Sequence, residues 1–310
     1  MTLARFQEDP LAPAQEWIAW PSEERRRRAV EACALRDRET LWSLTLAHQT
    51  RRHGVASTQT LRKYRLGMQR WIEFTQSYAI GLLQAEPEHA DLWLRRMEAE
   101  GLKPMSVGVY LAGARAFYQA LRWAKATRLD PFRDVRPQRD KVRPQDKRQP
   151  YTEDELEKLL TLADADMRVL LLLGASAGLR ASEIVNLRWG DIDKADAIAT
   201  VTGKGRKTRR VILSGSLLTA LDELVRIAPE QRVIGRSPEA ARLRMKALCH
   251  QAGVTYKGLH ALRHSAGTRL VRAGFALQDI AEHLGHSDVA TARIYGKWAD
   301  DRLRDFLKGQ

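Results

Sequence analysis

The sequence predicts a mainly α-helical protein in two parts, with one small β-sheet or hairpin element in the second. Three observations predict it. Apolar residues recur at helical spacing over much of the chain, a proline-rich basic stretch interrupts them near residue 140, and one glycine-flanked turn joins two short β-branched runs. The 310 residues are enough for two ordinary domains, and a hydrophobic content of 44% excludes wholesale disorder. Two cysteines, Cys33 and Cys249, cannot build a disulfide framework, so a reducing, cytoplasmic setting is expected. The longest apolar stretch, residues 169–179, is 11 residues and too short for a bilayer span. No apolar run follows basic residues at the N-terminus, so an export signal is not expected.

Residues 1–50 hold Trp17, Trp20 and Trp42 around an arginine run at 25–28. Glu16, Glu23, Glu24 and Glu31 offset that run, so the segment reads as a charged helical extension that packs on the rest or on a neighbouring subunit. Residues 51–130 read as a small helical bundle. Leu61, Tyr64, Met68, Trp71 and Ile72 form one stripe, with Arg62, Lys63, Arg65 and Arg70 on other faces. A second helix is expected over 89–100, stopping before Gly101. A third starts near Pro104, with Val107, Tyr110, Leu111, Ala114, Phe117, Tyr118 and Leu121 as its apolar stripe. These aromatics read as core rather than as platforms for bases.

Residues 131–150 read as an extended linker, because Pro131, Pro137, Pro144 and Pro150 fix φ and bias their predecessors away from helix. Arg133, Arg136, Arg139, Lys141, Arg143, Lys147 and Arg148 make it a basic strap or a solvated tether. Residues 151–310 form the second domain. Thr152 and Glu155 have capping-box spacing ahead of an apolar helical run, and another helix is expected over 167–176. Strands at 198–201 and 211–213 flank Gly203-Lys204-Gly205, and the pattern is helical from about residue 215.

The charge is unevenly spread. Lys and Arg number 52 against 38 Asp and Glu, a net +14. Residues 51–150 carry 20 basic and 10 acidic side chains, whereas residues 1–50 carry 7 and 8. A concentrated excess of this kind points to a polyanionic partner, with nucleic acid as the natural candidate.

Four segments of the second domain carry chemistry. In GLRASE, residues 178–183, Gly178 permits a tight entry, Ser182 is a candidate helix cap, and Arg180 lies at the helix's N-terminal edge, facing an anion or paired with Glu183. In GKGRKTRR, residues 203–210, Lys204 sits at a mobile hairpin tip, with Lys207 and Arg209 as candidate phosphate contacts; the spacing is not that of a P-loop, so no ATP site is expected. In HALRHS, residues 260–265, His260 and Arg263 share one helix face. His260 and His264 lack the glutamate of an HExxH motif, so no metal is expected. In LGHSDVATARIY, residues 284–295, Gly285 stops one helix, His286 follows in the turn, Ser287 can cap the next, and Tyr295 lies along it. Two arginines, a lysine, two histidines and a tyrosine suit metal-free phosphodiester transfer. Guanidinium groups hold the non-bridging oxygens, a tyrosine with cationic neighbours attacks, and a lysine protonates the leaving oxygen.

In order and context these residues resemble the tyrosine recombinases, or phage-type integrases, and most closely their Xer-like branch. The likeness spans about 260 of the 310 residues. It implies a helical core-binding (SAM-like) domain followed by a catalytic domain. It also implies catalytic roles for Arg180, Lys204, His260, Arg263, His286 and the nucleophile Tyr295, with Glu183 in support. Arg62, Lys63, Arg65, Arg139, Lys141, Lys207 and Arg209 are the candidate DNA contacts. By the resemblance, the partner is duplex DNA with specific sites, bound by four protomers of this chain or of this chain and a second recombinase, with no cofactor. Ala266-Gly267 and Thr291-Ala292 depart from the family's usual residues at packing positions. A type IB topoisomerase or a catalytically idle DNA-binding module are the alternatives.

Overall fold

The computed structural model describes residues 12–54, 56–138, 140, 142, 149–203, 208–225, 228–285 and 295, and divides the chain into two units at Lys141 and Val142. Lys204, His286, Arg139, Lys141 and Lys207 lie outside the described residues, as does the proposed cap Ser287. Among the described residues no helix is long and apolar enough to cross a membrane.

The first unit contains α1 (Ala12–Ala19), α2 (Ser22–Leu35), α3 (Arg38–His53), α4 (Thr58–Ser77), α5 (Pro87–Ala99) and α6 (Pro104–Trp123). Ser57 and Asp37 cap α4 and α3, and proline opens α5 and α6, where a missing N–H costs nothing. The stripe read from α4 is buried around Trp71, which meets Trp93 at 5.2 Å and Phe132 at 4.8 Å between ring centroids. The Trp71 indole N–H donates to the Tyr118 hydroxyl (3.2 Å), which donates to the Leu82 carbonyl (2.8 Å), so neither buried polar group is left unsatisfied. Helices α4 and α6 cross at Gly67 and Gly113. A Cβ on either would overlap a backbone carbonyl of the other helix, Tyr110 or Tyr64.

Residues 12–54 share this core, with Trp17, Leu41, Leu44 and Ala47 buried in the same cluster. The arginine run is neutralised on its own helix, Arg27 and Arg28 both bonding Glu24. Two residues in the stretch read as linker, Phe132 and Val135, are also buried here, and the Arg115 guanidinium donates to both of their carbonyls.

The second unit contains α7 (Glu153–Leu162), α8 (Ala165–Ala175), α9 (Ala181–Asn186), a 3-10 turn (Trp189–Asp191), β1 (Ile192–Asp193), β2 (Ile198–Thr202), β3 (Thr208–Ile212), α10 (Gly215–Asp222), α11 (Pro238–Gln251), α12 (Leu259–Arg272) and α13 (Leu277–Leu284). The capping box is formed: the Glu155 amide donates to Thr152 Oγ1 (3.2 Å) and the Thr152 amide to Glu155 (2.8 Å). The expected hairpin gains a third strand, giving an antiparallel sheet in the order β1-β2-β3 with Val201 opposite Arg209. Leu170, Leu173, Ile184, Val201, Val211, Leu221 and Leu262 belong to one core shared by helices and sheet. Buried Tyr151 ties the start of the unit to α12, its carbonyl accepting from Ser265 Oγ (2.9 Å).

Candidate active site

Arg180 is itself the N-cap of α9, in place of the expected Ser182, because the left-handed turn at Gly178 delivers the chain to the helix two residues earlier. Glu183, in the first turn, accepts from the Arg180 amide (2.8 Å) and from Arg180 Nη1 (2.7 Å). Arg180 is therefore paired with Glu183, and its side chain keeps 34% exposure.

Arg263 is drawn inward from the middle of α12 and is 1% exposed. A buried guanidinium needs acceptors, and Arg263 finds them in the Gly178 carbonyl (Nη1, 2.7 Å) and the Leu284 carbonyl (Nη2). Burial, then the nearby Arg180 charge, brings its pKa down to about 10, so it stays cationic at neutral pH. Arg180 Nη2 donates to the next carbonyl along, that of Gly285 (2.8 Å).

Tyr295 is 2% exposed and hydrogen-bonded to Arg263. Burial raises its hydroxyl pKa, and the charges of Arg263 and Arg180 work against that rise. Its ring lies flat on α12 at Gly267, where a Cβ would come within 2.7 Å of Cε1, Cε2 and Cζ. Two histidines of α12 complete this side. The His260 and His264 rings meet edge-to-face at 4.7 Å, and His264 lies 5.9 Å from the Tyr295 ring. Among the described residues no three His, Cys, Asp or Glu side chains are grouped so as to hold a metal ion.

The DNA-contact candidates divide. Arg62 and Lys63 are exposed on α4. Against the expectation for a phosphate contact, Arg65 is 17% exposed, paired with Glu39 and 5.9 Å from the Trp42 ring centroid. Arg209 departs further. It projects to the core side of β3 together with Val211, its side chain is 13% exposed, and it grips Glu183 with two bonds of 2.9 Å. Sequence reasoning treated Arg209 as part of a basic hairpin arm. The signal that marks it is the strand alternation, which puts residues 209 and 211 on one face.

Burial raises the Glu183 carboxyl, but the hydrogen bonds from Arg209 and then from the Arg180 amide outweigh this and bring it down to about 2. Two guanidinium groups, Arg180 and Arg209, thus bond one ionised carboxylate, and a third, Arg263, lies near enough to feel its charge, a partly buried site with excess positive charge beside a tyrosine hydroxyl. Such a site suits an anion with several oxygen acceptors, and the bonds already made fix each guanidinium plane before the anion arrives.

Comparison with known proteins bears on the same residues. The signature of the Phage integrase family matches residues 150–302, and that of the Phage integrase N-terminal SAM-like domain matches residues 49–125. Over 280 residues the chain is 26% identical to Tyrosine recombinase XerD of Rhizobium meliloti (strain 1021), covering 82% of this chain and 89% of the relative. It is 32% identical over 212 residues to Tyrosine recombinase XerC of Xanthomonas campestris pv. campestris (strain B100), covering 63% of this chain and 64% of that one. A solved lambda integrase tetramer bound to a Holliday junction matches with a TM-score of 0.68 at 16% identity, over 84% of this chain and 76% of that chain; this is a likeness of fold.

Proposed function

The chain belongs to the phage integrase family, the tyrosine recombinases, and from that premise we propose that it is a site-specific DNA recombinase working through a 3′-phosphotyrosyl intermediate. The observation that carries the proposal is that Tyr295 is hydrogen-bonded to Arg263, while Arg263 and Arg180 donate to the adjoining carbonyls of Leu284 and Gly285.

In this reading Tyr295 Oη attacks the scissile phosphorus and the bond to the 5′ oxygen breaks. The phosphoryl group passes to the tyrosine, whose proton leaves to solvent. Arg180 and Arg263 hold the non-bridging oxygens where charge accumulates, with hydrogen bonds added by His260 and His286. Lys204 gives its proton to the departing 5′ oxygen. The bond energy is kept in the protein–DNA link, so a 5′-hydroxyl from another strand reverses the step and no ATP is consumed. Four protomers, of this chain alone or shared with a second recombinase, exchange strands through a Holliday junction. Residues 51–130 act as the core-binding domain, with Arg62 and Lys63 on phosphates, and the basic stretch with Arg139 and Lys141 follows the backbone. The setting is the cytoplasm, with the nucleoid.

The test uses sheared DNA of the source genome in EDTA, with covalent adducts trapped in SDS and their ends sequenced. A short nicked duplex built on the recovered site then accumulates adduct, because the freed 5′ fragment diffuses away. The expected result is a 3′-linked adduct that vanishes in Tyr295→Phe. Cleavage that survives Tyr295→Phe, or that needs Mg²⁺, overturns the reading. Relaxation of site-free plasmid as fast as recombination favours a topoisomerase instead.

A further inference from the structure

We propose that Arg209 is a positioning residue that fixes Arg180 and the α13 terminus in the active site, and is not a DNA contact. This rests on the functional reading of Arg180 and Tyr295 given above.

The Glu183 carboxylate has about four acceptor sites, and all are taken. Oε1 accepts from Arg180 Nη1 (2.7 Å) and Arg209 Nη1 (2.9 Å); Oε2 accepts from the Arg180 amide (2.8 Å) and Arg209 Nη2 (2.9 Å). Half of the bonds that hold Glu183 in place therefore come from β3. A carboxylate held on one side only would be free to turn about its side chain, and Arg180 would turn with it.

Arg209 also reaches the other half of the site. Its Nε donates to the His283 carbonyl (3.1 Å), Arg263 to that of Leu284, and Arg180 to that of Gly285 (2.8 Å). Three arginines from three elements thus take three successive carbonyls at the end of α13, where a helix leaves its C=O groups without internal partners and carries partial negative charge. The Arg209 side chain passes directly over Gly285. A Cβ there would stand 2.8 Å from Cδ and 3.0 Å from Nε, and Gly285 also sits at φ +66°. Glycine at 285 is thus what lets Arg209 close over the helix end, just before the segment that carries His286 and Tyr295.

The groups facing Glu183 and Arg209 are Arg180 at the start of α9, Arg263 on α12, and His283 on α13. His283 is pushed down by burial and then by the charges of Arg209 and Arg263. Among these, Arg209 is the largest influence holding the Glu183 carboxyl down against burial. Removing Arg209 takes away that influence and lets the Glu183 carboxyl rise, and a protonated Glu183 holds Arg180 less firmly.

The experiment measures single-turnover adduct formation on the nicked duplex, and separately the salt dependence of binding to a random-sequence duplex. Arg209→Gln is expected to lower the cleavage rate by about tenfold to a hundredfold, as sub-ångström misplacement of a reacting constellation does. The rate should fall further toward acid pH than in the unaltered protein, with the salt slope unchanged. Arg209→Lys, which keeps the charge and one donor, should recover part of the rate and carries the test if Arg209→Gln does not fold. In Glu183→Gln, adding Arg209→Gln should cost little more, because both act through one carboxylate. A salt slope reduced by about one with an unchanged cleavage rate identifies Arg209 as a phosphate contact and overturns the proposal. An unchanged rate and pH profile also overturn it. Absence of adduct from the unaltered protein overturns the functional reading itself, before Arg209 is in question.

Discussion

Replacing Glu183 by glutamine keeps the volume and removes the charge, so it isolates what the carboxylate contributes to the folded second unit. Burial raises that carboxyl, and the bonds from Arg209 and the Arg180 amide bring it from 4.5 down to about 2. At ~1.4 kcal/mol per pKa unit this corresponds to about 3 kcal/mol. The side chain is 3% exposed, so solvent screening removes little of it. Because the folded value lies below the unfolded one, the stabilisation is complete above about pH 4.5 and is lost as pH falls through about 2. Glutamine also leaves the Arg209 guanidinium without its counter-charge, and breaking a buried pair costs ~3–5 kcal/mol. The assay is hydrogen exchange of the amides in α9 and β3, because local opening free energies do not require the chain to unfold in one step. Glu183→Gln should lower those free energies by about 3 kcal/mol near neutrality, narrowing to roughly half near pH 3. An equal loss at both pH values, or a loss under ~1 kcal/mol, would show that the ionised carboxylate is not what holds Arg180 and Arg209 together.

Arg263→Lys keeps a positive charge but cannot span the Gly178 and Leu284 carbonyls, so single-turnover cleavage should fall by ~10²–10³ while DNA affinity changes little. Activity within a few-fold of the unaltered protein contradicts the phosphate-holding role. Gly267→Val drives side-chain atoms into the Tyr295 ring, already 2.7 Å from a modest Cβ. Adduct formation should drop ~10²-fold with the circular dichroism spectrum intact, and an unaffected rate means the ring does not work from this seat. Trp71→Ala empties the centre of the first unit and should lower its stability by ~3–5 kcal/mol, read from the exchange of α4 and α6 amides. Arg62→Ala with Lys63→Ala should reduce the log–log salt slope of non-specific DNA binding by about two, and an unchanged slope removes both from the phosphate footprint.

Helices were legible wherever one face is continuously apolar. The stripes on α4 and α6, the Thr152 and Glu155 box, and the shared face of His260 and Arg263 all follow from spacing alone. Which faces meet was not legible, because the crossing at Gly67 and Gly113 depends on two glycines that lie far apart in sequence and are unremarkable in isolation. Phe132 and Val135 were hidden inside a proline-rich pattern. Phe132 packs against the Trp71 and Trp93 rings and Arg115 takes both carbonyls, and no helical or strand period marks either residue. The carbonyls of His283, Leu284 and Gly285 have no sequence signature, since every residue carries one. The site was therefore readable as a set of side chains, and the backbone half of its construction was not.

The same limit explains why counting cations could not sort them. Arg36 sits in a left-handed conformation at the end of α2 and spends its donors on the Ile72 and Ile80 carbonyls and on Thr75, so its charge holds helices together. Arg25 lies 4.7 Å from the Trp123 ring, and Arg65 is closed off by Glu39. None of these is distinguishable from Arg62 by residue type or by local charge density, yet only exposed groups such as Arg62 and Lys63 are free to release counterions from DNA. Period does separate them. Arg209 shares its strand face with buried Val211, and Arg263 shares its helix face with Leu259 and Ala266. An arginine placed on an apolar face must find acceptors or a counter-charge there, because an unpaired buried charge costs several kcal/mol. Arg209 and Arg263 answer that demand with carbonyls and a carboxylate, and in doing so build the rigid cationic cradle against which Tyr295 lies.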